Sequence, residues 1–295
     1  MREARGDWDI FYVDAPSLIY RAFFALPKTI TSADGRPVNA VRGFMDMLTR
    51  LQVDHRPKEI VSVFDADWRP AFRVEAWKGY KSERPEDPEE LPPQFDIAAE
   101  VLDAAGIARC ESAGLEADDA IATLVAQKHP SVLSAVVSGD RDLLSLVRDP
   151  DVRLLYPERG VAKPVIFDEA AVKERYGVWP YQYMDFAIMR GDSSDGLPGI
   201  AGIGPVRAAA LLEQYETLER VMANVDFLPP RQAEAFRSAK DYLDAMKVVV
   251  DLVRDAPIDK TEPHPPDEAR LRELAERYNL GSSAGRLLQA LTGQR

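Results

Sequence analysis

Three short apolar runs in this chain each stop at or just before an aspartate: "DIFYVDA" (9–15), "EIVSVFDA" (59–66) and "SAVVSGD" (134–140). Apolar runs of this length, bounded by turn residues, read as buried strands. Between them "SLIYRAFFAL", "AVRGFMDMLTRLQVDH" (40–55), "QFDIAAEVLDAAG" (94–106) and "LEADDAIATLVAQKH" (115–129) have helical spacing. Strands alternating with helices predict an α/β fold, a mainly parallel central sheet covered by helices. "VRLLYPE" and "KPVIFDE" are further strand candidates, and "GIARCES" is a short strand or loop. From Glu169 onward the chain reads as nearly all helical, with "APIDKTEPHPPDEA" as a polar connector. The expected division is therefore an α/β core over 1–168 and a helical part over 169–295.

In open α/β sheets, ligands bind at the carboxyl ends of the strands. Asp14 and Asp65 close two predicted strands, and Asp140 and Asp142 follow a third, so these side chains can converge. "GLEADDAI" adds Glu116, Asp118 and Asp119 in a first helical turn, and "MRGDSSDGLPG" adds Asp192 and Asp195. Each segment has an ordinary reading by itself. Acids at a helix start offset the helix dipole, "GDSSDG" can be an Asx turn, and Asp14 can cap its helix. Gathered in one cleft, however, the carboxylates would repel each other until some took up protons. A bound cation removes that cost. Oxygen ligands without histidine or thiolate select Mg²⁺ or Mn²⁺. Two such ions about 4 Å apart can activate water and stabilise the leaving oxygen of a phosphodiester.

The net charge of −12 argues by itself against a nucleic-acid partner. Nine of those twelve charges are carried by the acids just named. Residues 69–84 are locally basic, with Arg69, Arg73, Lys78, Lys81 and Arg84 against Glu75 and Glu83. The near-helical spacing of the cations, with Trp77 and Tyr80 interleaved, suits a single strand held by phosphate contacts and base stacking; a solvated helix face is the plainer alternative. Residues 69–93 as a whole are charged and become proline-rich, and read as a mobile excursion rather than core. In "GIAGIGPVRAAALL" (199–212), Gly202 and Gly204 allow a tight turn into a helix whose free N–H groups can hold a phosphate. A plain helix–turn–helix packing unit fits that segment equally well. No apolar run approaches the roughly 18 residues a membrane helix needs, and no apolar leader segment opens the chain. The one cysteine, Cys110, reads as a small buried hydrophobe and fits a reducing cytoplasm; His55, His129 and His264 are too scattered for a structural zinc site.

These stretches together resemble the 5′-nuclease or flap-endonuclease family in its bacterial form, which also occurs as the N-terminal domain of DNA polymerase I. The resemblance rests on "VDAPSLIYRAFFAL", "VSVFDA", "FRVEAWKGYKSERPEDPEELPPQ", "GLEADDAIATL", "VVSGDRDLLSLV" and "MRGDSSDGLPGIAGIGPVRAAALL", which occur in family order over nearly the whole chain. No polymerase-like segment follows, so a stand-alone member is expected. The resemblance implies a metal-dependent 5′-to-3′ exonuclease and flap endonuclease acting on branched, flapped or nicked DNA, in primer removal and repair. It implies two or more Mg²⁺ or Mn²⁺ ions. Asp14, Asp65, Glu116 and Asp118 match the ligands of one metal, and Asp118, Asp140, Asp142 and Asp195 those of a second. Asp119 and Asp192 match outer or alternative ligands.

Lys81 and Arg84 match gateway cations under a helical arch (about 69–95) that contact the scissile phosphate. Tyr20 and Arg21 match the helix beside the unpaired bases, and Arg73 and Tyr80 are further DNA-contact candidates. The "GIGP" element (about 185–255 with its flanking helices) matches a helix–hairpin unit that grips duplex DNA, in some members with K⁺. The implied partners are branched DNA and RNA primers on DNA, with a functional link to a polymerase and a ligase. The implied setting is a monomer in the bacterial cytoplasm, near the nucleoid and without a membrane. Three departures stand out: "VDA" for the usual "VDG", Val206 where many members carry lysine, and "SSDG" for "SSDN". Arg207 is expected to take over the phosphate contact, and the last change to alter only loop stiffness. The rival class is a catalytically silent branched-DNA binder of the same fold; an RNA-directed nuclease is a second alternative.

Overall fold

The computed structural model describes residues 8–293; residues 1–7 and 294–295 of the two expected parts, and with them most of the stretch read for a leader, lie outside it. Strand β1 (Ile10–Asp14) runs directly into α1 (Ala15–Ala25), followed by α2 (Asn39–His55) and β2 (Glu59–Val63). The short α3 (Ala71–Ala76) and α4 (Pro92–Ala105) lead to β3 (Ala108–Glu111), and α5 (Ala117–Gln127) leads to β4 (Ser134–Val137). After β5 (Val152–Tyr156) and β6 (Val165–Phe167) the chain turns helical. There follow α6 (Glu169–Tyr176), α7 (Tyr183–Arg190), α8 (Pro205–Tyr215), α9 (Leu218–Ala223), α10 (Pro230–Ser238) and α11 (Lys240–Val249). A two-residue strand, β7 (Asp259–Lys260), precedes α12 (Glu268–Arg277) and α13 (Ser282–Thr292).

Among the described residues the strands form one seven-stranded sheet in the order β6-β5-β4-β1-β2-β3-β7. The five central strands pair in parallel, and β6 and β7 close the edges antiparallel. The expected α/β architecture is therefore present. Successive strand residues point to opposite faces. Phe11, Val13, Ala135 and Val137 pack on one side with Leu18, Phe44 and Val101. Tyr12, Val61, Val63, Val136 and Leu154 pack on the other with Ile121, Leu144 and Phe186. Both faces are buried, which is why these strands read as continuous apolar runs rather than as alternating ones.

The topology places the site. From β1 the chain builds β2 and β3 on one side, then returns to add β4 on the opposite side of β1. The winding direction reverses at β1, so the carboxyl ends of β1 and β4 flank a crevice of the kind that binds ligands in open α/β sheets.

The structure refines two of these expectations. The polar connector "APIDKTEPHPPDEA" also contributes a short strand, β7, in which Lys260 pairs with Cys110 on the edge of β3. Helix α10 lies within the stretch after Glu169 that was expected to be nearly all helical. Residues 69–93 are not wholly outside the core: Arg73, Tyr80 and Leu91 are buried while residues 82–87 are exposed, and the segment is helical only over α3 and from Pro92. The basic residues of 69–84 therefore do not share one helix face. The glycine stop of α4 holds as expected. Gly106 has φ +71°, and a Cβ there would fall 1.9 Å from the His264 carbonyl oxygen.

Candidate active site

Asp14 is the last residue of β1 and the N-cap of α1, accepting from Ser17 N–H at 3.1 Å. Its other oxygen accepts a short hydrogen bond from the Ser138 hydroxyl at the end of β4. Ser138 Oγ also accepts from Asp140 N–H at 2.8 Å, and Ser17 Oγ accepts from Gly139 N–H at 2.9 Å. The ends of β1 and β4 are thus stitched together by two serines that sequence reasoning passed over; the signal was a serine directly before "GD" and another three residues after Asp14. Asp140 accepts from Asp142 N–H at 2.9 Å, which turns both carboxylates at the strand end. Asp65, two residues beyond β2, accepts from Ala117 N–H at 2.7 Å and so holds the first turn of α5.

Seven of the nine candidate acids line two adjoining cavities. Asp14, Asp65, Glu116, Asp118 and Asp140 line one of about 830 Å³. Asp142 and Asp195 join Glu116, Asp118 and Asp140 around a small recess behind it. Asp119 and Asp192 stand outside. Asp119 is fully buried and accepts from both terminal nitrogens of Arg73 at 2.8 and 2.7 Å and from Val253 N–H at 2.9 Å. Asp192 caps the turn at Ser193–Asp195 and is paired with Arg190 at 3.1 Å.

Positive charge from the chain itself is drawn into this cluster. The Lys81 ammonium and the Arg73 guanidinium both pair with Glu116, which also accepts from the Tyr80 hydroxyl at 2.6 Å. Arg84 pairs with Asp195 at 2.6 Å. Arg73 and Tyr80, expected on a DNA-facing surface, are instead 2% and 5% exposed and hold Glu116 from the interior. This corrects their assignment. An arginine between two buried carboxylates neutralises the cluster better than one in solvent.

Tyr20 donates its hydroxyl to Asp87 at 2.6 Å at the mouth of the larger cavity. Arg21 lies beside Gly139, where an added Cβ would sit 3.6 Å from its Nη2. Gly202 and Gly204 form the exposed turn into α8, and Arg207 folds back to donate to the Gly202 carbonyl at 2.5 Å. Val206 is 84% exposed at the start of that helix.

The carboxylates are crowded. Burial, then the Asp140, Asp14 and Glu116 charges, push the Asp118 carboxyl well above its usual range. Asp142 is raised likewise by burial and by Asp140, Asp195 and Asp192. Burial pushes Asp14 up to about 7, against the opposing hydrogen bonds from Ser138 and Ser17. Among the described residues, no group of three or more His, Cys, Asp or Glu side chains is arranged so as to hold a metal ion. Ammonium and guanidinium groups take up the Glu116 and Asp195 oxygens instead. The donor chemistry nevertheless fits a hard divalent ion: every ligand atom is oxygen, and negative charge exceeds what Lys81, Arg73 and Arg84 supply.

A stability prediction follows. A carboxyl whose folded pKa lies above its unfolded value favours the fold at low pH, and that contribution is lost as pH rises through the folded pKa. For Asp14 the window runs from about 4 to about 7. In chelator, the melting temperature should fall as pH rises through this window. Millimolar Mn²⁺ should raise it more at pH 8 than at pH 5. Calorimetry showing equal Mn²⁺ effects at both pH values would count against metal binding by these carboxylates.

A second prediction concerns the loop carrying Asp195. Gly196 has φ +71°, and a Cβ there would lie 2.0 Å from the Gly79 carbonyl oxygen. Lys81 N–H donates to Asp195 O at 3.0 Å, and Trp77 Nε1–H donates to Gly196 O at 3.1 Å. The "SSDG" departure therefore does more than alter stiffness, because it lets the turn at Gly79 sit directly on this loop. Gly196→Ala should destabilise the protein by more than about 1 kcal/mol. It should also speed proteolysis within 77–91; unchanged digestion would show the close approach to be unimportant.

Residues 9–177 match the family described as 5′-3′ exonuclease, N-terminal resolvase-like domain, and residues 178–273 match 5′-3′ exonuclease, C-terminal SAM fold. A 5′-3′ exonuclease of Streptomyces coelicolor is 45% identical over 95% of this chain and 99% of its own length. One from Mycobacterium tuberculosis is 40% identical over 95% and 96%. The thermostable DNA polymerase I of Thermus thermophilus is 36% identical over 92% of this chain, which spans 32% of that polymerase. Among solved structures, the T5 D15 protein co-crystallised with metal ions superimposes with a TM-score of 0.67 at 17% identity, covering 96% of this chain and 99% of that one. The catalytic core of Rad2 in complex with DNA substrate does so with a TM-score of 0.62 at 16% identity, over 97% and 94%. At such identities these two support the fold alone. By the family match over most of its length and by its bacterial relatives, the chain belongs to the 5′-3′ exonuclease family.

Proposed function

We propose that this protein is a divalent-metal-dependent, structure-specific 5′ nuclease that hydrolyses phosphodiester bonds in flapped, branched or nicked DNA. The observation that carries the reading is the convergence of all-oxygen side chains on the crevice between β1 and β4, beside Lys81 and Arg84. Asp14, Asp65, Glu116 and Asp118 would hold one ion, and Asp118, Asp140, Asp142 and Asp195 a second. Mg²⁺ and Mn²⁺ both suit these ligands. When bound, such ions supply Lewis acidity for water activation and leaving-group stabilisation.

The chain's own residues do the rest. Ser138 and Ser17 fix the Asp14 carboxylate, and Asp65 fixes the start of α5. Lys81 and Arg84, now paired with Glu116 and Asp195, are freed for the scissile phosphate once other cations satisfy those acids. There they offset charge building on the phosphate oxygens. Tyr20 and Arg21 line the path of the unpaired 5′ strand. Gly202, Gly204 and Arg207 form an exposed helix start suited to a duplex phosphate, with K⁺ as a further candidate ligand of that turn. Recognition is of structure rather than sequence, since these elements grip phosphates and read no base edges. Primer removal and excision repair in the bacterial cytoplasm, alongside a polymerase and a ligase, are the corresponding roles.

The test is incubation of 5′-labelled flap DNA with the protein in Mn²⁺ and in chelator. Release of the flap only with metal is expected. Binding without cutting under both conditions would instead support a silent branched-DNA binder.

A further inference from the structure

We propose that Phe24 and Trp68 form a stacking site for an unpaired base of the 5′ strand, a role that rests on the nuclease reading above. Both side chains line the cavity that holds Asp14, Asp65 and Asp140. Both are large, apolar and exposed, Phe24 at 71% and Trp68 at 52%. The aromatics that the sequence pattern offered for stacking, Trp77 and Tyr80, are unavailable. Tyr80 is buried, and Trp77 packs edge-on against Tyr242 with its N–H given to Gly196. Tyr20 is committed as well, through its hydrogen bond to Asp87, whereas among the described rings Phe24 meets only Phe23, edge-on, and stays 71% exposed.

Phe24 lies one helical turn beyond Tyr20 on α1, about 6 Å farther along the axis from Asp14. Trp68 comes from the loop after β2, and its carbonyl accepts from Lys81 Nζ at 3.4 Å. The same cavity is thus lined by flat apolar side chains and by the cations Lys81 and Arg84. A nucleotide presents the matching pair, a π-face and a phosphate. An apolar protein side chain would use the aromatics alone and bring no anion to Lys81 and Arg84, which Glu116 and Asp195 hold here. Stacking of this kind tolerates any base, in keeping with recognition by structure.

The inference is tested by affinity, apart from cleavage. In chelator, fluorescence anisotropy compares a 5′-flap DNA with the same DNA whose unpaired nucleotides lack bases. The wild-type protein should bind the base-bearing flap about 5- to 100-fold more tightly. In the double variant Phe24→Ala/Trp68→Ala that ratio should fall to about 1, with each single variant in between. Both side chains are exposed, so their truncation leaves the core intact, and a thermal melt verifies it. A double variant that keeps the wild-type ratio, or a wild-type protein that ignores the missing bases, overturns the stacking site. Cleavage in Mn²⁺ is scored separately. A wild-type protein that never cuts would remove the nuclease reading, while the affinity ratio would still decide the stacking site.

Discussion

Asparagine at Asp140 or at Asp142 should reduce cutting of 5′-flap DNA by on the order of 10³-fold or more, with DNA binding retained. The size follows from the several kcal/mol of charge stabilisation that a metal supplies, at about 1.4 kcal/mol per tenfold in rate. Asparagine keeps the shape and an oxygen for the Asp142 N–H bond, but it removes the charge that recruits the ion. The same substitutions should raise the melting temperature in chelator. Asp142 is disfavoured as an anion by burial and by Asp140, Asp195 and Asp192, and Asp140 by burial and Asp195. Lost activity with gained stability distinguishes a functional carboxylate from a structural one, whose removal lowers both. Full activity in both variants would refute the site.

Arg73→Ala should have the largest effect on stability. Its guanidinium is 2% exposed and bonds Glu116, both oxygens of Asp119 and, at 3.3 Å, the Asp251 carbonyl. Removing one partner of a buried ion pair costs about 3–5 kcal/mol, because the other charge is left without compensation. A fall in melting temperature on the order of 10 °C is expected. Arg73→Lys should recover only part of it, since one ammonium cannot match the bidentate contact to Asp119. A variant that melts with the wild type would show that Asp119 finds another partner.

The parallel strands and their terminal acids were legible because burial on both faces leaves a run of Val, Ile and Phe ending sharply in Asp. Strand β7 was not, since two residues of polar sequence carry no period, and only the exposed edge of β3 makes them a strand. Arg73 and Tyr80 were misplaced for a physical reason: helical spacing of cations says nothing about which face is inward. The acids of "LEADD" have an ordinary role at a helix start, so they did not by themselves point to a buried guanidinium. Phe24 and Trp68 went unnoticed because single aromatics are common both inside and outside proteins, and only the cavity shows that these two face it.

The seam between β1 and β4 bears on how the protein is made. Ser138 reaches back across 124 positions to fix Asp14, and Asp195 comes later still. With the metal ligands proposed above, a nascent chain of about the first hundred residues still lacks Glu116, Asp118, Asp140, Asp142 and Asp195. A chain terminated before the "SSDG" loop lacks Asp195, the last of the proposed ligands. On that proposal the site is complete only late in synthesis, once part of the helical half has been made.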